Sequence, residues 1–317
     1  MKIVVLKFGG TSVGNLNRIK IVAKIIASYL KKKFKVIVVS SAISGSTNEL
    51  IKKSEKISDN FDSSEYDTLI SSGEQIACAL IAGRLIHLGY KSKSFMAWQV
   101  PILTEGPYGR SKIEYINKKK ILSYLKLGGT PIVTGFQGIN SDLRVTTLGR
   151  GGSDATAINI AKFFNAEECI IYTDVAGVYT TDPNAYPRAK KINKISYDTM
   201  LEMSSLGAKV MQPTSVQHAK LHNIDVSVKS SFKNQKGTLI THPKKIFNRK
   251  VIRGVTFTKN DSKITIIGVK DRPGIAASIF KPLSLNQINV DMVVQNISAN
   301  GKETDLTFTI KSSDLKK

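Results

Sequence analysis

The chain has 317 residues, of which 41% are hydrophobic, 22% are charged and 9 are proline, which excludes a disordered or collagen-like protein and predicts one to three globular domains. Its 47 basic residues exceed its 24 acidic residues, so the net charge of +23 brings nucleic acids and anionic membranes into consideration. Nine of the basic residues are arginine and the other 38 (47 − 9) are lysine, whereas forked recognition of phosphate or guanine prefers arginine. We therefore expect a lysine-rich surface and no nucleic-acid partner.

The cysteines and the apolar runs indicate the compartment. Cys78 and Cys169 lie in apolar stretches far apart in the chain, which predicts buried free thiols in a reducing compartment. No group of Cys and His has the spacing of a zinc site, so no metal ligands are predicted. The N-terminal apolar run is too short for a signal peptide, and no apolar run reaches the length of a membrane span. These observations predict a cytoplasmic protein with no membrane partner.

Up to about residue 240, short apolar runs alternate with segments of helical period, a pattern typical of a mostly parallel sheet with helices on both faces. The predicted strands are residues 3–6, 36–39, 94–96, 132–133, 169–173 and 225–228. The predicted helices are residues 18–30, a helix from residue 47 onward, and residues 68–88, 116–127, 154–164 and 208–222. We assign residues 1–245 to this α/β domain.

Residues 246–317 have a different pattern and form a smaller predicted domain. Its predicted strands are residues 251–258, 263–269, 289–297 and 304–310, and a turn at 271–274 precedes a helix at 275–285. This order is the first part of a βαββαβ ferredoxin-like unit. The closing helix and strand are missing, so the unit is incomplete.

The first strand runs into a glycine-rich loop, KFGGTSVG at residues 7–14, which a helix follows. Because glycine has no Cβ, backbone N–H groups and the helix N-terminus can approach a phosphate closely. The loop lacks the Gly-Lys-Ser/Thr of a Walker A motif and the spacing of the dinucleotide fingerprint. It predicts a phosphate site beside Lys7; the alternative is a tight turn with a solvated lysine.

A second loop, TLGRGGSD at residues 147–154, also leads into a helix. Ser153 or Asp154 is well placed to cap that helix, which is the simplest interpretation. A cap requires neither Arg150 nor three glycines, however, and the guanidinium fork suits a carboxylate or phosphate. The loop therefore predicts an anion-binding site.

A third loop follows the predicted strand at 169–173 and begins with Asp174. Ligands of open α/β sheets bind beyond the carboxyl ends of the strands, so Asp174 is a candidate site residue. The alternative is ordinary turn chemistry around residues 182–183. Lys209, at the start of the predicted helix 208–222, either binds phosphate or is solvated.

Two smaller segments carry polar groups. Residues 40–47 follow the second strand with small hydroxyl side chains, and residues 71–74 place Glu74 just inside a helix. Glu74 either interacts with the helix dipole alone or pairs with the ammonium group of a substrate.

In their order along the chain, these motifs resemble those of the aspartate kinases of the amino-acid kinase family. The motifs are KFGGTS at 7–12, SSGE at 71–74, GFQG at 135–138, TLGRGGSD at 147–154 and YTDVAGVYTTDP at 172–183. In the second domain, DRPG at 271–274 and INVDMVVQN at 288–296 resemble an ACT regulatory domain. The resemblance covers essentially the whole chain. It implies a three-layer αβα sandwich of the amino-acid kinase type with a mostly parallel central sheet, followed by an incomplete ferredoxin-like ACT unit.

The resemblance implies ATP-dependent phosphorylation of the side-chain carboxylate of L-aspartate to 4-phospho-L-aspartate, the entry to lysine, threonine and methionine synthesis. Mg²⁺ accompanies ATP, coordinated mainly by phosphate and water. Because an ionised carboxylate is already a nucleophile, phosphoryl transfer mainly needs positioning and charge neutralisation. The resemblance also implies a homo-oligomer and a lysine or threonine effector.

The resemblance assigns roles residue by residue. Lys7 and Lys209 stabilise charge on the transferring phosphoryl group, and Asp174 orients both lysines. The implied residues for the amino acid are Thr47, Glu74, Arg150, Ser153 and Asp154. The implied residues for ATP are Lys7, Phe8, Gly9, Gly10, Ser41, Thr173, Asp174, Tyr179, Asp182, Pro183, Asn184 and Lys209. The implied effector residues are Asn289, Val290, Asp291 and Gln295.

Two departures from the family pattern affect these assignments. This chain has Asn184 where the family often has arginine, which puts the ATP contact at this position in question. The family usually carries two ACT units, whereas this sequence contains part of one, so a shortened gene and a lineage without regulation are both open. We expect catalysis to be retained and inhibition by lysine or threonine to be weakened or altered.

Three other functions compete with aspartate phosphorylation. A kinase of glutamate, acetylglutamate or UMP is disfavoured by residues 71–74 and by the ACT-like segment. A non-catalytic amino-acid sensor is disfavoured because the predicted catalytic and substrate residues are retained together. A nucleic-acid binder would require tight, salt-dependent binding to DNA or RNA.

Overall fold

A computed structural model describes residues 2–208, 210–246, 253–270, 272–286, 288–297 and 303–315. The chain packs into two compact units, with the division between Thr256 and Phe257. The strands of the first unit are β1 (Ile3–Phe8), β2 (Lys35–Ser40), β3 (Ser92–Phe95), β4 (Ile102–Glu105), β5 (Lys112–Ile116), β6 (Thr130–Thr134), β7 (Gln137–Ile139), β8 (Val145–Thr147), β9 (Glu168–Thr173), β10 (Lys194–Ser196), β11 (Val226–Ser230) and β12 (Thr238–Thr241). Its helices are α1 (Leu16–Lys31), α2 (Ser46–Ile57), α3 (Ser63–Ile70), α4 (Ser72–His87), α5 (Lys119–Lys126), α6 (Gly152–Phe163), α7 (Tyr197–Ser205) and α8 (Pro213–Leu221).

Eight of the described strands form the central sheet, in the order β10-β12-β11-β9-β1-β2-β6-β3. All neighbouring pairs are parallel except β11 and β12. This confirms the predicted mostly parallel sheet. The parallel arrangement brings the loops that follow β9, β1, β2 and β6 to one edge.

The side chains of β1 show how the two faces of the sheet are covered. Val4, Leu6 and Phe8 pack with buried residues of α1 and α4. Ile3 and Val5 belong to the other apolar cluster, which includes residues of α5, α6, α7 and α8. Successive side chains of a strand point to opposite faces, so continuous apolar runs are buried on both sides. The result is the expected three-layer αβα sandwich.

The predicted helix 68–88 begins earlier and is interrupted at Ser71. The carbonyl oxygen of Ser71 accepts a hydrogen bond from Gln137 Nε2 at 2.8 Å. A Cβ on Gly73 would lie 2.8 Å from Ala42 Cβ, so glycine lets α4 pack closely against the loop after β2. These contacts come from distant parts of the chain, and periodicity in the local sequence does not report them.

Other predicted boundaries were also wrong. The predicted helix 116–127 begins at Lys119, because Ile116 pairs with Ile102 in the β4–β5 ladder. The predicted helix 208–222 begins at Pro213, and α7 was missed. Residues 253–258 form no strand among the described residues.

A second, four-stranded sheet of the first unit was also missed. Its order is β5-β4-β7-β8, and its strands are only three to five residues long. Strands this short show too little alternation to be recognised in the sequence. The sheet carries the chain into the loop before α6.

The second unit contains β13 (Asp261–Lys270), α9 (Ile275–Leu285), β14 (Val290–Ile297) and β15 (Glu303–Lys311). These strands form an antiparallel sheet in the order β13-β15-β14. Ile288, Phe308 and Ile310 are its buried apolar cluster, against which residues of α9 pack. From residue 263 onward the predicted order of strand, helix, strand and strand is thus observed, without the predicted strand before it in the part that the structure describes.

Two further features bear on the predicted compartment. Cys78 and Cys169 are free and buried, as predicted, and burial raises the pKa of both thiols. The stretch Ser63–His87 is long and apolar enough to cross a membrane by length and composition alone, although it is not an uninterrupted apolar run. Half of its apolar window is buried inside the unit.

Candidate active site

The glycine loop after β1 lies between the loops that follow β2 and β9. The N–H of Gly9 donates to the carbonyl oxygen of Tyr172 at 3.0 Å, and the N–H of Ser44 donates to that of Gly10 at 3.2 Å. A Cβ on Gly10 would lie 3.1 Å from the carbonyl oxygen of Ala42, so this close approach favours glycine. The three loops together form the kind of edge where α/β proteins bind ligands.

Lys7 is held by an ion pair at this edge. Its Nζ lies 2.6 Å from Oδ1 of Asp154 in the first turn of α6, and both residues are 8% exposed. Gly151 is the N-cap of α6 and no described side chain caps the helix, so the alternative in which Ser153 or Asp154 caps it is wrong. The Asp154 carboxylate is therefore available to hold the Lys7 ammonium.

The loop before α6 depends on glycine conformation. Gly149 and Gly151 have φ values of 72° and 80°, in the left-handed region. A Cβ on Gly149 would lie 2.8 Å from the carbonyl oxygen of Gly109, and one on Gly151 would lie 2.5 Å from Cγ of Gln212. Arg150 lies between these two glycines. It is exposed and lines a pocket that Lys7 and Glu74 also line.

Glu74 is a buried carboxyl group in the first turn of α4 and is 3% exposed. Its Oε1 accepts a hydrogen bond from the N–H of Ala42 at 3.0 Å, while Oε2 has no hydrogen-bond partner among the described residues. Burial raises the pKa of Glu74 to about 7, although the Ala42 hydrogen bond and the charge of Lys7 oppose this rise. An unpartnered buried carboxyl oxygen is costly unless a donor reaches it, which makes Glu74 a candidate ligand for a cation.

These residues line one open pocket of about 270 Å³. The predicted site residues that line it are Lys7, Gly10, Ser41, Thr47, Glu74, Arg150, Ser153 and Asp154. All five residues predicted for the amino acid are thus brought together from α2, α4 and the segment around the start of α6. Phe136 also lines the pocket and was not predicted; it has φ 68°, which is unusual for a bulky residue.

The residues predicted for ATP divide into two groups. Gly10 and Ser41 line the pocket, whereas the side chain of Phe8 is wholly buried and stacks on Tyr172, so it belongs to the core. Gly9 does not line this pocket, and neither does Thr173, which ends β9. Asp174, Tyr179, Asp182, Pro183 and Asn184 follow β9 and do not line the pocket either. They form a mostly exposed segment at the same edge of the sheet.

Asp174 and Lys209 are predicted to act with Lys7, and the structure describes only Asp174 of the two. Asp174 is exposed and its Oδ1 accepts a hydrogen bond from Thr173 Oγ1 at 3.1 Å, so the carboxylate that contacts Lys7 here is Asp154. Lys209 lies outside the described residues. The helix expected to begin near it begins instead at Pro213.

The predicted effector residues lie on the second unit. Asn289 and Val290 line an open groove of about 490 Å³ between α9 and β14, together with Phe280, Leu283, Ser284, Ile288 and Val293. Asp291 and Gln295 are exposed and do not line this groove. The predicted set is therefore only partly brought together.

Two residues that support the site were missed by the sequence analysis. Asp67 is fully buried beneath the loop that carries Arg150, and it accepts hydrogen bonds from Gly109 and Thr147. Arg18 in α1 donates to the carbonyl oxygen of Ser231 at 2.7 Å and to its Oγ at 2.9 Å. Two features of the sequence could have indicated them. Asp67 lies two helical turns before Glu74, and Arg18 is one of few arginines in a lysine-rich chain.

Comparisons with known proteins bear on the family of this chain. The model of the amino acid kinase family matches residues 2–230, and that of an ACT domain matches residues 264–317. A curated aspartate kinase from Pseudomonas putida is 43% identical over 318 residues, which cover 100% of this chain and 77% of that protein.

Two solved structures are also similar to the chain. The structure of E. coli aspartokinase III in complex with aspartate and ADP (R-state) has a TM-score of 0.79 at 27% identity, covering 98% of this chain and 79% of that one. The structure of the same enzyme in complex with lysine and aspartate (T-state) has a TM-score of 0.83 at 27% identity, covering 98% and 80%.

Proposed function

The chain belongs to the aspartate kinases of the amino acid kinase family, and we propose that it phosphorylates L-aspartate in the pocket formed by Lys7, Glu74, Arg150 and Asp154. It is an ATP-dependent kinase that converts the side-chain carboxylate of L-aspartate to 4-phospho-L-aspartate. The observation that carries the assignment of the site is the meeting of a buried lysine, a buried carboxyl group and a guanidinium in one pocket.

The amino acid binds through the two ends of its zwitterion. The α-ammonium group donates to Glu74, whose Oε2 is otherwise unpartnered, and the Arg150 fork receives the α-carboxylate. Thr47 and Ser153 supply hydroxyl groups to the remaining oxygens. The side-chain carboxylate is then left facing Lys7 and the glycine loop.

Phosphoryl transfer proceeds on this carboxylate. One of its oxygens attacks the γ-phosphorus of ATP, the bond to the β–γ bridging oxygen breaks, and ADP leaves with that oxygen. No base is needed because the carboxylate is ionised at neutral pH. Lys7 and the amide groups around Gly10 stabilise the negative charge that develops on the transferring group.

Asp154 keeps Lys7 in place for this step. The ion pair fixes the Lys7 ammonium at 2.6 Å from Oδ1, within a site that is largely shielded from water. A lysine that is already positioned loses little entropy when the phosphoryl group arrives. In this proposal Asp154 replaces Asp174 as the carboxylate that orients Lys7.

ATP lies along the edge from the glycine loop toward the segment after β9. Thr173 ends that strand, Asp174, Tyr179 and residues 182–184 follow it, and all are accessible to a nucleotide. Mg²⁺ bound with ATP supplies neutralisation of phosphate charge.

Regulation and location are further parts of the proposal. Asn289 and Val290 line the groove on the second unit where lysine or threonine would bind as effector. The enzyme acts as a homo-oligomer in the cytoplasm. The two buried free thiols agree with a reducing compartment.

The test is formation of an acyl phosphate from ATP and L-aspartate, trapped with hydroxylamine as the hydroxamate. We expect hydroxamate with L-aspartate and none with glutamate or N-acetylglutamate. Because UDP does not form a hydroxamate, release of ADP is measured with UMP, and none is expected; lysine and threonine are tested in parallel as inhibitors. Product from one of the other acceptors and none from L-aspartate would refute the proposed function.

A further inference from the structure

Asp67 is a buried carboxylate that does not line the pocket. It is 0% exposed, and its two oxygens accept three hydrogen bonds. Oδ2 accepts from the N–H of Gly109 at 2.9 Å and from the N–H of Thr147 at 2.6 Å. Oδ1 accepts from Thr147 Oγ1 at 2.7 Å. One side chain of α3 thus holds two loop segments that are far apart in the chain.

These two segments meet at Gly149, the residue before Arg150. Thr147 ends β8, three residues before Arg150, and the chain then turns through Gly149. The carbonyl oxygen of Gly109 is so close to Gly149 that a Cβ there would lie 2.8 Å from it. Because Asp67 binds the N–H groups on both sides of this contact, it determines where the Arg150 loop begins.

The same helical stretch carries Glu74, seven residues after Asp67 and two helical turns further on. The junction between α3 and α4 is held by the hydrogen bond from Gln137 to the carbonyl oxygen of Ser71. Glu74 on α4 and Asp67 on α3, which anchors the Arg150 loop, therefore lie on adjacent helices whose junction is held in place.

We infer that Asp67 is a positioning residue that maintains the separation between Glu74 and Arg150, and so adapts the pocket to the ammonium and carboxylate groups of an α-amino acid. The inference rests on the proposed function, because it concerns the two groups assigned to the amino acid. It assigns Asp67 no contact with substrate or ATP.

A purely structural role makes a different kinetic prediction. If Asp67 only stabilised the fold, its loss would lower the melting temperature and the active fraction while the folded enzyme kept its KM values. If Asp67 positions the Arg150 loop, the KM for aspartate rises and the KM for ATP does not. The three hydrogen bonds that Asp67 accepts come from Gly109 and Thr147, and so from neither the glycine loop nor the segment after β9.

The experiment compares three variants of the full chain with wild type. Asp67→Asn keeps the volume but replaces one acceptor oxygen by a donor facing N–H groups, and Thr147→Val removes only the hydroxyl donor. Glu65→Gln is the control, since Glu65 is on the same helix and pairs with the exposed Arg144. For each, kcat and both KM values are measured below the melting temperature, with folding checked by circular dichroism.

We expect Asp67→Asn to raise the KM for aspartate roughly tenfold or more, Thr147→Val to raise it about threefold, and both to leave the KM for ATP within about twofold. Glu65→Gln should match wild type. If Asp67→Asn does not fold, Thr147→Val decides by the same criterion.

An unchanged KM for aspartate, an equal rise in both KM values, or the same rise in Glu65→Gln would each overturn the inference. Wild-type enzyme that phosphorylates no aspartate at all would instead refute the proposed function.

Discussion

The two sides of the active-site edge differ in how far they are buried. On the amino-acid side, Glu74 is 3% exposed and Lys7, Ser153 and Asp154 are each 8% exposed. On the nucleotide side, the side chains of residues 182–184 are exposed, as is Asp174. In the proposed site, the amino-acid side is thus mostly buried polar groups, with Arg150 as its exposed member, and the nucleotide side is an accessible surface.

This difference has an energetic consequence. Electrostatic interactions and unpaired polar groups matter more in a site shielded from water than at a solvated surface. A small zwitterion offers few contacts, so each must be strong and well placed, whereas a nucleotide can spread its binding over many weaker contacts. Substitutions should therefore have effects that follow the burial of the residue replaced.

The largest effect is expected for Lys7→Ala. Removing the ammonium leaves the transferring phosphoryl group without its buried cation, and kcat should fall about 10²–10³-fold. The measurement is initial-rate kinetics at saturating ATP and aspartate, with circular dichroism to confirm folding. Lys2→Ala, which alters an exposed lysine, is the control. Turnover within a few fold of wild type in Lys7→Ala would contradict the role assigned to Lys7.

A smaller effect is expected for Arg150→Ala. Arg150 lines the pocket but is exposed, so its loss should raise the KM for aspartate about 10- to 100-fold, as for a lost hydrogen bond to a charged group. Arg150→Lys should recover only part of this loss because it lacks the fork. Arg272→Ala, at an exposed position of the second unit, should leave both KM values unchanged. A rise confined to the KM for ATP would place Arg150 on the other side of the site.

Glu74 should make aspartate binding depend on pH. Because burial raises its pKa to about 7, Glu74 is mostly protonated in the free enzyme at pH 6 and mostly ionised at pH 8. Only the ionised form pairs with the ammonium group, so the KM for aspartate should fall about tenfold between these pH values. Glu74→Gln should bind aspartate more weakly and show a flat profile over this range. A wild-type profile without this change would contradict the assignment.

The same pKa shift has a consequence for stability. Between pH 4.5 and 7 the folded protein keeps a proton on Glu74 that the unfolded chain has lost, so stability falls as pH rises through this window. Above pH 7 the cost reaches about 3 kcal/mol, from the rise of the pKa from 4.5 to about 7. Urea unfolding should show Glu74→Gln gaining stability relative to wild type from pH 4.5 to pH 8. A constant difference across that range would contradict the shift.

The smallest effect is expected for Asn184→Ala. The backbone N–H of Asn184 donates to Asp182 Oδ1 at 2.9 Å, an interaction that survives removal of the exposed Asn184 side chain. The KM for ATP should stay within about twofold of wild type, as for most surface substitutions. A tenfold rise would show that the exposed side contributes as strongly as the buried one.

Much of the site follows from local patterns in the sequence. Strand, glycine loop and helix follow one another at residues 3–30, and parallel strands collect such loops at one edge, so Lys7, Gly10 and Arg150 could be proposed together. The short strands β7 and β8 were missed because three residues give no measurable period. The helix break at Ser71 was missed because Gln137, which binds its carbonyl, is 66 residues away.

The sequence by itself determined the family, the mostly parallel sheet and the charged residues that line the pocket, because these depend on local motifs and on hydrophobic periodicity. Only the tertiary structure decided that Lys7 pairs with Asp154 and that Asp67 supports the loop of Arg150. Which carboxylate lies within about 3 Å of a given donor depends on how distant segments pack, and side-chain hydrogen bonds are effective only at such distances. The raised pKa of Glu74 belongs to the same class, since desolvation is a property of the folded core.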